Sequence, residues 1–358
     1  MANQILYGFY NLKDRLADTV QTVGIQVIND AIQMTLDEHN RQMNALLELF
    51  AMRTTKAKFR YRTPTAGRLQ PTDEQGRAIP VRFGASYDVA FPMQRGALAW
   101  GQTYEASLKM TVEQANNHMA GMLTADRRWM RDHILAALFP STSWTYNDAD
   151  DDIGTLTIKG LANGDTDVYA IQTGADAGAT DTHILAQANA IGNADDPFQS
   201  IKDELLEHPE NGGEVVALLP TNLVATTRAL SGFYPTTDPN IQLGTGVSRL
   251  VGDLGIQLPG KIFGYHSSGV WLAEWKSAPS SYIIAACTQG ERALAMREEP
   301  IAQLQGFNRV AESQDFPFYR SDYLRKAGFG ANNRVGAVVW RVGNASYAVP
   351  TNYTSPMP

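Results

Sequence analysis

Six histidines, one cysteine and a few acid-rich or glycine-rich stretches are the residues of this chain whose types could do chemistry. The histidines are His39, His118, His133, His183, His208 and His266. No two stand four apart, so the paired-histidine helix turn of a zinc protease is absent. Glu204 and His208 are four apart on a predicted helix. A di-metal carboxylate site wants Glu and His three apart, from two helices, so this pair reads as an exposed helical ion pair. "NDADDDIG", Asn147 to Gly154, alternates oxygen ligands only through Asp148, Asp150 and Asp152. No distal Glu follows, and a calcium loop needs one; the stretch reads as a solvated acidic loop.

"GTGVSR" from Gly244 and "GFGANNRVG" from Gly328 begin like dinucleotide loops. Arg249 and Asn333 stand where the third glycine belongs, and neither segment opens a helix after a strand. There is no Walker lysine loop and no Gly-x-Ser-x-Gly elbow. Cys287, inside the apolar run "YIIAACTQG", reads as a small buried hydrophobe. The expectation is no catalytic residue, no metal and no cofactor: not an enzyme. A nucleotide-binding measurement would test that reading of the glycine loops.

The chain has 358 residues and a net charge of -7. That length suggests two domains or one elaborate one, with enough buried surface to need no covalent staple. The acidic balance argues against coating nucleic acid along the whole surface. The N-terminus "MANQILYGFYNLKDRL" lacks the pattern of a secretory signal. No apolar run approaches the roughly 18–20 residues that span a bilayer. With a single cysteine, the reading is a soluble product of a reducing compartment.

The elements that must position these residues follow from periodicity. Asp14 to Arg53 predicts one long helix, with Val20, Val23, Val27, Ala31 and Met34 at three- and four-residue steps and Gly24 tolerated inside it. "KAKFRYRTP" and "IPVRFGASYDVAFP" alternate with period two. The turn-rich "TAGRLQPTDEQGRA" between them predicts a long hairpin with a polar tip. An isolated hairpin is marginal in water, so this one needs a neighbour. Tyr104 to Phe139 predicts a very long helix on the stripe Leu108, Val112, Ala115, Met119, Met122, Met130, Ile134 and Ala137, interrupted by Asp126. Arg127, Arg128 and Arg131 beside Trp129 give it a basic face, solvated or set against a partner. Ser141 to Asp196 reads as a β-rich insertion with "GTLTIKGLA" and "DVYAIQTGA" as strands.

Pro197 to Gly290 reads as a compact α/β unit: helix "PFQSIKDELLEH", strand "GGEVVALLP", helix "TNLVATTRAL" capped by Thr221, then strands "KIFGYHSSGVWLAEW" and "SYIIAACTQG". "ERALAMREEPIAQLQ" and "VGAVVWRVG" read as further strands, with Gly328, Gly330 and Gly336 allowing a bend and close backbone approach.

This order resembles a major capsid protein of a tailed bacteriophage, with the HK-ninety-seven-like fold. The resemblance rests on "RVAESQDFPFYRSDYLRKAGFGANNRVGAVVW", Arg309 to Trp340, with "MREEPIAQLQ" before it, and on "TAGRLQPTDEQGRAIPVRF" placed ahead of the long helix. It covers the whole chain as an architecture and is moderately specific as a motif. It implies an α+β fold: an N-terminal arm and helix (1–53), an extended β-hairpin loop (54–98), and a peripheral domain with its spine helix (99–140 and 296–358). A β-rich insertion (141–196) and an axial α/β domain (197–295) complete it.

The resemblance also implies self-assembly as pentamers and hexamers into an icosahedral shell around double-stranded DNA, bound without sequence specificity. The implied partners are further copies of the chain, a portal, a separate scaffolding protein and a decoration protein, with no membrane. The place is the virion, after assembly in the host cytoplasm. Candidate inter-subunit residues are Arg60, Arg62, Arg68, Glu74, Arg77, Arg82, Asp315, Arg320, Asp322, Arg325, Lys326 and Arg334. The arm is reached within about twenty residues, so a fused scaffold is not expected. The hairpin tip, Ala66 to Ala78, has no lysine, and only Lys56 and Lys58 lie near its base, so no isopeptide crosslink between subunits is expected. The alternative within the fold is an encapsulin-type nanocompartment shell enclosing cargo enzymes.

Overall fold

A computed structural model describes residues 9–62, 76, 86–149, 153–171, 179–235, 259–313 and 318–355. In chain order, α1 spans Val20–Val23 and α2 Ile25–Leu47. Strands β1 (Ala51–Thr54), β2 (Lys58–Arg62), β3 (Ser86–Ala90) and β4 (Gln94–Thr103) follow. Helices α3 (Tyr104–Lys109) and α4 (Val112–Leu138) precede β5 (Trp144–Asp148), β6 (Gly154–Ile158) and β7 (Ile184–Gln187). Then come α5 (Phe198–Leu206), β8 (Asn211–Leu219), α6 (Thr221–Arg228) and β9 (Phe233–Pro235). Strands β10 (Lys261–His266), β11 (Val270–Glu274), β12 (Tyr282–Gly290) and β13 (Leu294–Glu298) lead to β14 (Phe307–Ser313), β15 (Phe318–Ala331) and β16 (Ala337–Val342).

The chain divides into two compact units. One holds Met1–Leu47, Met93–Ile134 and Arg297–Gly328; the other holds Glu48–Pro92, Leu135–Met296 and Phe329–Pro358.

In the first unit, helices cover one face of an antiparallel ladder. β15 pairs with β4, Phe318 opposite Thr103 through Ala327 opposite Gln94, and with β14, Phe307 opposite Arg325 through Ser313 opposite Arg320. The core joins Ile28, Ile32 and Leu36 of α2 to Val112, Ala115, Met119 and Leu123 of α4, with Phe307 and Tyr323 from the strands. Of the predicted stripe, Val20, Val23 and Ala31 are buried, but Val27 and Met34 face solvent, and Ile28, Ile32 and Leu36 are buried beside them. The single N-terminal helix is also corrected: Gly24 sits at φ +97, a left-handed conformation that an α-helix does not accept, and separates α1 from α2.

The predicted helix from Tyr104 to Phe139 likewise breaks at Met110, whose backbone is extended. Thr111 and Gln114 then cap α4 reciprocally. The Gln114 N–H donates to Thr111 Oγ1 at 3.3 Å, and the Thr111 N–H donates to Gln114 Oε1 at 3.2 Å. That is the Thr-x-x-Gln capping box. The 27 residues of α4 make it about 40 Å long at about 1.5 Å per residue.

The second unit is built on a seven-stranded sheet in the order β7, β16, β12, β8, β11, β10, β9. β8 and β12 read as continuous apolar runs because both of their faces are covered. Phe198, Ile201 and Leu205 of α5 and Leu223 and Val224 of α6 pack against Val215, Ala217, Leu219, Ile283 and Ala285. Cys287 lies in the same cluster, and burial pushes its thiol up to about 12, as the apolar run predicted. Two-stranded ladders β2–β3 and β5–β6 complete the unit.

Three expectations for this unit change. "DVYAIQTGA" contributes only an isolated bridge, Tyr169 to Ala179, among the described residues. Thr221 does not cap α6; its hydroxyl donates to Glu274 Oε1 at 2.7 Å, and Pro220 precedes the helix. His208 lies beyond the end of α5 and is fully buried rather than exposed. The "GTGVSR" loop lies outside the described residues, as do Asp150 and Asp152 of the acidic loop.

The glycine segment that opens like a phosphate loop is strand and turn. Gly328 and Gly330 belong to β15, and residues 332–336 turn into β16. Gly330 is required by contact, not by φ: a Cβ there would stand 2.7 Å from the Ala90 carbonyl oxygen.

Candidate assembly surface

The ladder of the first unit has two faces, because successive side chains on a strand point to opposite sides. Phe307, Tyr323 and Arg325 point to the helices and are buried. On the other face stand Phe318, Arg320 and Asp322 of β15 beside Thr103, Gly101 and Ala99 of β4. Phe318 is 62% exposed, and Val310 of β14 is exposed as well. Small residues make the β4 side of this face flat. Among the described residues, β15 is the only strand that pairs with β4, and β14 ends its side of the sheet. On β14 the Asn40 side chain already bonds the Phe307 N–H and C=O, at 2.8 and 3.1 Å. Beyond it no strand pairs with the outer edges of β4 and β14 among the described residues, and soluble proteins normally blunt such edges. Val310 marks a register shift between β14 and β15, a bulge that strengthens the local twist.

The charged candidates separate by burial. Arg60 and Arg62 are exposed on β2; Arg60 reaches Asp88 across the ladder at only 3.7 Å, with both side chains largely in solvent. Arg320 and Asp322 pair at 2.6 Å on the open face of β15. Arg68, Glu74, Arg77, Arg82 and Asp315 lie outside the described residues.

Arg325, Lys326 and Arg334 face inward, which redirects the expectation placed on them. Arg325 donates from Nε to Asp126 Oδ1 at 2.5 Å and from Nη2 to Oδ2 at 2.7 Å. His39 Nε2 reaches the same Oδ2 at 2.7 Å. Asp126 thus does not interrupt the α4 stripe; it is the buried centre of a His–Asp–Arg triad. Burial by itself would raise its pKa, but the His39 hydrogen bond and Arg325 hold the carboxyl below its ordinary range. Lys326 pairs with Glu299, both buried.

Arg334, fully buried, holds the segment from Gly160 to Asp167. It donates to the Gly160 and Leu161 carbonyls at 2.8 and 3.1 Å, to Asp165 Oδ2 and Asp167 Oδ2 at 2.7 and 2.6 Å, and to Asn163 Oδ1 at 3.3 Å. A charge so fully satisfied within its own chain has no donor left for a neighbour.

The basic face of α4 is also smaller than its sequence suggests. Arg131 pairs with Asp132 at 2.7 Å, and burial pushes Arg127 down to about 10, leaving Arg128 exposed. Sequence reasoning missed the apolar members of the open face, Phe318 and Val310. Their signal was present: an aromatic and a β-branched residue at the solvent positions of alternating strands.

No family model matches the chain, and no curated protein matches it. Among solved structures, the chain is similar to one described as "Mycobacterium phage Patience", with a TM-score of 0.68 and 16% identity over 96% of both chains. Two chains described as the capsid of a GTA particle computed with C5 symmetry align less well. The empty particle gives a TM-score of 0.47 at 11% identity, covering 83% of this chain and 89% of that one. The native particle gives 0.46 at 9%, covering 83% and 90%. The fold is the α+β tailed-phage major capsid fold that the sequence resembled.

Proposed function

We propose that this chain is the major capsid protein of a tailed bacteriophage and acts by assembling with copies of itself. The observation that carries the reading is the end-to-end likeness of fold to the mycobacteriophage chain, 96% of each. The open face supports it, because exposed apolar residues such as Phe318 and Val310 are a liability unless a neighbour covers them. In this reading the subunits form pentamers and hexamers, closed rings whose contacts are repeated and heterologous. They enclose double-stranded DNA without reading its sequence.

The net charge of -7 suits such a container. A strongly basic lining would add affinity with every neutralised phosphate and resist release of the genome. The role is structural, with a portal, a separate scaffolding protein and a decoration protein as partners in the virion, and assembly in the host cytoplasm. No described helix is long and apolar enough to cross a membrane.

Electron microscopy of the purified particle, with analysis of its contents, tests the reading. Icosahedral shells containing double-stranded DNA are the expected result. Shells filled with protein cargo would mark a nanocompartment, and a chain that stays monomeric alongside its co-expressed scaffold would overturn the assembly role.

A further inference from the structure

Asp181, His183 and His208 converge in the second unit, and the two histidines are completely buried. His183 Nε2 lies 3.0 Å from Asp181 Oδ2, His208 Nε2 lies 2.9 Å from the same oxygen, and the two Nε2 atoms are 3.1 Å apart. The other ring nitrogens are committed. His183 Nδ1 faces the Ala337 carbonyl at 3.0 Å, and His208 Nδ1 faces the Ala170 carbonyl at 2.7 Å. A carbonyl oxygen can only accept, so each Nδ1 carries the hydrogen, and in the neutral ring each Nε2 presents a bare lone pair.

Three acceptor atoms therefore meet in one buried place with no hydrogen among them. One proton would serve an Nε2 and leave the other nitrogen facing it only through a forked bond. A cation bonded to all three serves every lone pair at once. Histidine ligands whose far nitrogen donates to a backbone carbonyl are the usual support around a metal.

We propose that Asp181, His183 and His208 bind a divalent transition-metal cation of the zinc type. The triangle has edges of 2.9, 3.0 and 3.1 Å. A metal at about 2.0–2.1 Å from each corner stands about 1 Å above its plane, and an opening of a few tenths of an ångström gives tetrahedral spacing. Glu207 Oε1 is 3.6 Å from His208 Nε2. Glu204 and Glu207 also bring carboxylate oxygens within 4.8 Å of Asp181. Three carboxylates beside two neutral imidazoles favour a dication.

Three protein ligands converge, which leaves the fourth position of a tetrahedral ion open. The metal would pin three elements together: the segment ahead of β7, the end of α5, and the first residue of β16 through Ala337. This inference is independent of the shell reading, since every ligand lies in one subunit. The signal is hidden in the sequence because 25 residues separate the two histidines.

The test uses the purified full-length chain. After dialysis against zinc and removal of free metal, elemental analysis is expected to give about one zinc per chain. Cobalt(II) in its place is expected to produce visible d–d bands. Chelation is expected to lower the unfolding midpoint by several degrees, because a ligand of the native state stabilises by mass action. His183→Gln with His208→Gln is expected to abolish both the metal and the sensitivity to chelator. Absence of zinc and cobalt from the wild type, with a melt indifferent to chelator, would overturn the proposal. So would equal metal content in wild type and variant. If the variant fails to fold, the wild-type measurements decide alone.

Discussion

Arg334 shows how far a residue's type can mislead before its surroundings are known. A lone arginine after an Asn pair invites a surface role, yet all of its donors are used inside the second unit. Lysine in its place would keep the charge but lose the planar fork that serves three side chains and two carbonyls. Arg334→Lys is expected to lower stability by about 1–3 kcal/mol, the cost of leaving buried acceptors without a donor, measured by denaturant unfolding of the subunit. An unchanged midpoint would refute the clamp role of Arg334.

Asp126 makes the same point with a pH dependence. Its carboxyl lies below its ordinary pKa in the fold. Its pairing therefore stabilises fully above the unfolded carboxylate pKa and is lost as pH falls through the lower folded value. Asp126→Asn leaves Arg325 buried without its counter-charge. The variant is expected to be less stable by about 3–5 kcal/mol near neutral pH. The gap should narrow as unfolding is measured at about pH 3 and below. A gap that stays constant with pH would refute the charge assignment.

At the scale of elements, the ladder β14–β15–β4 carries the proposed function. Its inner face is fixed by a core, and its outer face is free to meet a neighbour. Phe318→Asp, alone or with Val310→Asp, removes no buried contact of the subunit, since both side chains are exposed. The variants are expected to melt within about 0.5 kcal/mol of wild type, as surface changes do, but to yield few or no shells by sedimentation. Shells at wild-type yield would remove this face from the assembly contacts. The ladder also shows what periodicity could and could not give. Alternation located strands in Glu291–Gln305 and Val335–Gly343, where β13 and β16 lie, but not β14 or β15 between them. It could not show that Arg325 and Lys326 fall on buried positions, because that depends on which face α2 and α4 cover.

For the whole molecule, assembly is expected to proceed without covalent linkage between subunits. Lys58 is exposed on β2, at the foot of the segment expected to be the extended loop, and the expected tip carries no lysine. Purified shells, boiled and reduced, are expected to run as a single 39.2 kDa band. A ladder of multiples would overturn this. Deleting Arg68 to Arg77 is expected to leave soluble folded subunits and to abolish or misdirect shells, scored by electron microscopy.

The order of elements, the buried strands β8 and β12 and the apolar stripe of α4 were legible in the sequence, because local periodicity reports which face of an element meets a core. The architecture itself came from the resemblance to a tailed-phage major capsid protein, carried by the segment from Arg309 to Trp340 and the turn-rich stretch ahead of the long helix. The break at Gly24 and the cap at Thr111 left signals, a helix-weakening glycine and a Thr-x-x-Gln, that the reading of two uninterrupted helices passed over. What only the tertiary structure decided is where the charges and imidazoles go. Asp126 meets Arg325 across 199 residues, Arg334 meets Asp165 across 169, and His183 meets His208 across 25. A side chain's role as surface charge, internal clamp or metal ligand depends on which partners share its dielectric surroundings. Those partners are brought together by folding, not by spacing along the chain.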